Sequence, residues 1–135
     1  MAALTTEISL ALPNRPGQLA AVGTALGQAS VSIQSVSAST AGRDATVRLL
    51  FAAKDTAKAK RALTKAGFRI RKSDVRKIVT VSVTNKAGSL GRVAGRLAKA
   101  GLNVDSAYIA GQSKKRSTVA LGVGKNAAKA KRALS

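Results

Sequence analysis

The chain has 135 residues, with 24 Lys and Arg against five Asp and Glu, a formal net charge of +19, and neither Cys nor His. That inventory excludes disulfides, Cys/His metal centres and a histidine-based catalytic triad, and it makes polyanions natural partners of the surface. The length suits one compact domain or two very small ones, and a unit below about 70 residues struggles to bury enough surface alone. Two such units would therefore share a core or a sheet. Apolar residues make up 45% of the chain, but only two Phe and one Tyr are aromatic, so the core must be built on Val, Leu and Ile. The charge is uneven: residues 1–70 hold nine basic and three acidic side chains, residues 71–135 fifteen and two. No basic N-terminal region precedes a long apolar block, and no apolar run approaches the roughly 18 residues that cross a membrane. A soluble cytoplasmic protein with no membrane partner is expected.

Taken in order, residues 6–12 alternate apolar and polar side chains and predict a strand. Asn14-Arg15-Pro16-Gly17 breaks that pattern, and Leu19, Val22 and Leu26 then follow at helical spacing, predicting a helix over about 16–28. Proline suits the first helical position and pushes Arg15 out of the α region, while Gly17 leaves the backbone at the helix start uncovered. Strands over 31–40 and 45–52 flank the turn Ala41-Gly42-Arg43-Asp44. A helix over 56–66 closes at Gly67, and a last strand lies near 68–72. Residues 78–84 open the same series again, through helix, hairpin and helix, with no further strand before Ser135.

Internal repetition accounts for this recurrence. Asn14-Arg15-Pro16-Gly17-Gln18-Leu19 aligns with Asn85-Lys86-Ala87-Gly88-Ser89-Leu90 at a shift of 71, and the same shift superposes the identical heptapeptides AKAKRAL at 57–63 and 128–134. Leu19, Val22, Leu26 and Ile33 fall on Leu90, Val93, Leu97 and Val104. The strands around Leu49 and Leu121 match only at a shift of 72, so one residue is gained and lost again, an exchange expected in the turns. The reading is an α+β chain of two ferredoxin-like βαββαβ repeats, 1–74 and 75–135, with antiparallel sheets covered by helices on one face. The second repeat lacks its last strand, which leaves an edge that invites pairing with a neighbour.

The motif L-x-N-R-P-G-x-L-A-x-V after a first strand resembles the ACT domain family, as do the entries Ala-Ser-Val-Ser-Ile and Ala-Gly-Leu-Asn-Val to each second strand and the 71-residue tandem copy. The second motif departs from the family pattern at Ala87 and Lys86. The resemblance covers nearly the whole chain, and more narrowly it is to small stand-alone proteins of two ACT domains. It implies a non-catalytic regulatory module that binds an amino acid at the interface between repeats, within one chain or across a homodimer. The loop of Asn14, Arg15, Pro16, Gly17, Gln18 and Leu19, and its counterpart in Asn85, Gly88, Ser89 and Leu90, would then face the ligand. Its carboxylate would meet the backbone N–H groups and the favourable end of the helix dipole. Asn103 and Asp105 sit where the family's second strand faces the partner, with Asp105 an acceptor for an ammonium group or else a solvated edge carboxylate. Tyr108 walls a pocket or packs in the core. Asn14 and Asn85 bond either the ligand or backbone at their own join, and Arg15 either pairs with a carboxylate or is solvated.

The cations follow helical rows. Lys54, Lys58, Arg61 and Lys65 fall opposite Ala59, Ala62, Leu63 and Ala66; Lys125, Lys129 and Arg132 repeat the row, and Arg92, Arg96 and Lys99 line the preceding helix. These rows are either a solvated face or, in an alternative function, a non-specific contact with nucleic acid or another polyanion through Lys58, Arg61, Lys65, Arg92, Arg96, Lys129 and Arg132. Deliberate charge engineering of an ACT-type scaffold would leave the same pattern. Phe51, Phe68 and Tyr108 are too few for a base-stacking platform, and the aromatic RNA-recognition motif is absent. Glu7, Asp44, Asp55, Asp74 and Asp105 are scattered with no nucleophile–base pairing, so no enzyme, cofactor or metal is expected.

Overall fold

Aliphatic side chains at Ile8, Leu10 and Leu12 share one face of an extended segment, and burying that face organises the first half of the molecule. In the computed structural model, which describes residues 2–135, the chain divides into two compact units. One is Thr6–Arg76; the other is Lys77–Ser135 with the first residues of the chain through Thr5. Strand β1 (Ala2–Pro13) is longer than the pattern predicts and contributes to both.

In the first unit, helix α1 (Gln18–Gln28) follows β1, strands β2 (Ser35–Ala41) and β3 (Asp44–Phe51) form a hairpin, and helix α2 (Thr56–Lys65) follows a short 3₁₀ turn at Ala53–Asp55. The strand order is β2-β3-β1. β1 pairs antiparallel with β3 from Thr6↔Phe51 to Pro13↔Asp44, and β2 with β3 from Ser35↔Leu50 to Ala41↔Asp44. Ile8, Leu10 and Leu12 of β1 and Val47, Leu49 and Phe51 of β3 pack against Val22 and Leu26 of α1 and Ala59 and Leu63 of α2. The expected strand at 68–72 does not form. Gly67 turns left-handed (φ 97°), and Phe68 and Ile70 pack against the core without strand pairing. A 3₁₀ turn at Lys72–Asp74 follows. Burial pushes the Asp74 carboxyl up, but hydrogen bonds from the Arg71 backbone N–H (2.9 Å) and guanidinium, with the charges of Arg71 and Arg69, hold it below the usual carboxylate value.

Strand β4 (Val75–Thr84) starts in the first unit and from Lys77 belongs to the second, where it is followed by helix α3 (Ser89–Lys99), strands β5 (Ser106–Gln112) and β6 (Arg116–Gly122) and helix α4 (Ala127–Leu134), repeating the order of elements. β6 pairs antiparallel with β4 from Val79↔Leu121 to Thr84↔Arg116, and with β5 on its other side. The core joins Val79, Val81, Val119 and Leu121 to Val93 and Leu97 of α3 and to Ala127, Ala130 and Leu134 of α4.

Two expectations are corrected here. The edge of β4 that was to lack a strand is lined by the start of β1: Ala2 is buried in this core, Leu4 packs on it, and the Thr80 hydroxyl donates to the Ala3 carbonyl at 3.5 Å. The residue gained between the repeats lies within a strand, not a turn. The register of β5 on β6 slips between Ile109 and Gly111, so Ala110 is a β-bulge. It is lost again where the 3₁₀ turn before α2 becomes a shorter turn at Gly124, whose N–H donates to the Asp105 carboxylate at 2.9 Å. Among the described residues no helix is long and apolar enough to cross a membrane, and no cluster of acidic side chains is arranged to hold a metal.

Candidate functional site

The strand-to-helix joins singled out by the repeats have one geometry. Gly17 precedes α1 at φ 90°, ψ −11°, and Gly88 precedes α3 at φ 87°, ψ −6°. The Arg15 carbonyl accepts from the Gln18 N–H and the Lys86 carbonyl from the Ser89 N–H. A glycine with these angles before a closing i→i+3 bond occupies the third position of a type II turn, for which proline suits the second. Pro16 therefore sits two residues before the helix and not at its first position as expected, and the second join makes the same turn with Ala87. The closing bonds also occupy the Gln18 and Ser89 N–H groups.

Positive φ at these glycines is the constraint, because an added Cβ at Gly17 meets nothing within 4 Å and one at Gly88 meets only the end of the Arg92 side chain, at 3.4 Å. Gly17→Ala and Gly88→Ala are each expected to cost about 1–2 kcal/mol. Gly91→Ala and Gly95→Ala, within α3 and open to solvent, should each stabilise by about 0.5–1 kcal/mol. Urea denaturation of the four variants checks the contrast; equal shifts in all four would refute the left-handed assignment.

Asn14 and Asn85 work as clasps. The Asn14 N–H and amide reach the Arg43 and Gly42 carbonyls in the β2–β3 turn. The Asn85 N–H donates to the Lys115 carbonyl and its amide to the Ser113 carbonyl at 2.9 Å, while its Oδ1 accepts from the Ser117 hydroxyl. Both polar ends of Asn85 are thus engaged in holding the β5–β6 turn against the join. Ser89 is buried, sharing a hydrogen bond with the Thr84 hydroxyl at 3.2 Å and accepting from Arg92 at 3.1 Å.

Beside this clasp lies a cavity of about 500 Å³, walled by Ala87 and Leu90 on the α3 side and by Ala107, Tyr108 and Ile109 of β5, with Val83 and Val119 on the neighbouring strands. Asn85, Lys86, Gln112 and Ser117 supply its polar groups. The volume lies within the range of small-molecule sites, and aliphatic walls with a few polar groups are their usual chemistry. Leu90 is 55% and Ile109 59% exposed, which leaves an apolar rim open to solvent.

Of the residues expected at a site, Asn85, Leu90 and Tyr108 come together in this cavity. Gly88, Ser89, Asn103 and Asp105 do not line it, and Ser89 lines a separate cavity of about 250 Å³. Asn14, Arg15, Pro16, Gly17, Gln18 and Leu19 form the equivalent join of the first unit, where Gln18 lines a separate cavity of about 460 Å³ and Leu19 is exposed. Lys86, Ile109, Gln112 and Ser117 escaped sequence reasoning; the shift from 71 to 72 around Ile109 was the available signal, since the Ala110 bulge sits there.

Residues 6–68 match the family model of the ACT domain. No curated protein matches the chain by sequence. Among solved structures, a protein from Bacteroides thetaiotaomicron is similar at 22% identity and a TM-score of 0.83, covering 98% of this chain and 88% of its own. The ligand-free regulatory subunit of aspartate kinase from Thermus thermophilus is similar at 20% identity and a TM-score of 0.72, covering 98% and 93%. Aspartokinase III of E. coli, in complex with lysine and aspartate, is 20% identical with a TM-score of 0.57, over 98% of this chain and 31% of that enzyme. These likenesses establish a shared fold, and the family match is more specific: the segment from residue 6 to 68 matches the ACT domain model.

Proposed function

We propose that the chain is a non-catalytic regulatory module that binds an amino acid in the cavity between α3 and β5. The observation that carries this reading is the aliphatic cavity beside the Asn85–Gly88 join, the counterpart of the join that bears the ACT motif in the first repeat. The regulatory role follows the ACT match and the fold shared with regulatory subunits of aspartate kinase. Val83, Leu90, Ile109 and Val119 suit an aliphatic side chain, and Lys86 at the polar end suits the ligand carboxylate. No acidic residue lines the cavity, so a basic amino acid is disfavoured. The exposed rim of Leu90 on α3 and Ile109 on β5, the strand at the end of the β1-β4-β6-β5 order, is the surface that a second copy of the chain would cover, consistent with the binding between repeats that the ACT resemblance implies.

A thermal-shift screen of the amino acids at low and high salt tests the reading. A ligand that binds only the native state stabilises it by RT ln(1 + [L]/Kd), about 2.7 kcal/mol at a hundredfold excess. An aliphatic amino acid should give such a shift at both salt concentrations, and Leu90→Asp should abolish it. No shift with any amino acid, or a shift indifferent to Leu90→Asp, refutes the site.

A further inference from the structure

The second unit carries twelve Lys and Arg side chains against Asp105 alone. All twelve are exposed, whereas the ion pairs Arg71–Asp74 and Arg76–Glu7 both lie in the first unit. Asp105 is committed to the Gly124 N–H. Seven of these cations lie along α3 and α4: Arg92, Arg96 and Lys99 on the first, Lys129, Lys131 and Arg132 on the second, and Lys125 just before it. The opposite faces of both helices, Val93 and Leu97, and Ala127, Ala130 and Leu134, are buried. Arg96 reaches across to the Ser135 carbonyl at the end of α4 at 3.4 Å. Thr84, Ser89, Arg92 and Arg96 also line a cavity of about 250 Å³, with two guanidinium forks and two hydroxyls around a space suited to one phosphate group.

We infer that this outer layer of α3 and α4 is a docking surface for duplex DNA, held through its phosphates without reading sequence. Cations three and four residues apart on a helix lie about 4.5 and 6 Å apart along its axis, and each DNA strand presents a phosphate about every 3.4 Å of axis. Between the cations the outer face of α3 offers Gly91, Ala94, Gly95 and Ala98, all exposed and small, so the backbone can approach a rigid rod closely. The large exposed aliphatics of this unit, Leu90 and Ile109, belong to the cavity rim, which leaves the cationic layer without the apolar side chains that would enter a lipid surface. Tyr108 is the only aromatic residue of the unit, so the stacking that favours single strands is missing.

Fluorescence anisotropy of the full chain with two duplexes of unrelated sequence tests this. With seven phosphate contacts the log–log salt slope is about −6.3, so binding should weaken roughly 6,000-fold between 50 and 200 mM salt. The variant Arg92→Gln/Arg96→Gln/Lys129→Gln/Arg132→Gln leaves three contacts and should lower that dependence to roughly 40-fold. Its charge-conserving counterpart, with Arg→Lys and Lys→Arg at the same positions, should bind like the parent, which separates lost charge from lost fold. Lys54→Gln/Lys60→Gln/Arg61→Gln/Lys65→Gln removes as many exposed charges from the first unit and should keep the parent slope. Equal losses in both neutralised variants, a sequence preference that survives high salt, or binding to phosphatidylserine vesicles with none to DNA would each overturn the inference.

Discussion

Arg76→Ala is expected to destabilise the first unit by about 3–5 kcal/mol, toward the lower end of what breaking a buried ion pair costs. Glu7 lies on the strand face opposite Ile8 and Leu10 and is fully buried, although carboxylates rarely are. Its Oε1 accepts from Arg76 Nε at 3.0 Å, and the Arg76 side chain is 28% exposed. Removing the arginine leaves a buried carboxylate without its cation, whereas partial access of water to that end limits the loss. Replacing both partners by apolar residues of similar size, Glu7→Leu with Arg76→Met, should restore most of the stability, because desolvating two charges offsets much of their attraction. Urea denaturation of the two single variants and the double closes a thermodynamic cycle. A loss below about 1 kcal/mol for Arg76→Ala would place the pair among surface ion pairs and refute its structural role.

This pair illustrates which features the sequence makes legible. Period-two alternation identified the strand that carries Glu7, and the 71-residue repeat identified both strand-to-helix joins, because these signals are local and each copy supports the other. Nothing local announces that Glu7 meets a residue 69 positions away, since pairing depends on which strands become neighbours. The Asn85 clasp was half legible: an asparagine bonding backbone at a join was one of two readings, but its partners Ser113 and Ser117 lie across a hairpin. Pro16 misled in an instructive way. Proline suits both the first helical position and the second position of a type II turn, and the left-handed Gly17 beside it selects the turn. The cavity itself escaped because Val83, Ile109 and Val119 alternate as core residues do; the Ala110 bulge and the strand's position at an edge leave Ile109 open.

Deleting residues 2–5 is expected to destabilise the second unit by about 3 kcal/mol or more while sparing the first. Ala2-Ala3-Leu4-Thr5 has little strand signal of its own, yet Ala2 is 6% exposed and Leu4 packs against the core built on Val79 and Val81. Burying a leucine contributes about 1.5–3 kcal/mol. The deletion also uncovers backbone donors and acceptors on β4, and an open edge both costs hydrogen bonds and attracts other chains. Leu4→Ser, which keeps the strand and removes only its anchor, should fall between the parent and the deletion. Hydrogen exchange resolves the two units: protection should drop at Val79, Val81, Val119 and Leu121 in the deletion variant, and persist at Leu10, Val47 and Leu49. Full protection of the β4 and β6 amides after deletion would show that the second unit closes without the N-terminal strand. Increased self-association with lost protection is the outcome this structure predicts, because the edge of β4 is then left for another chain to pair with.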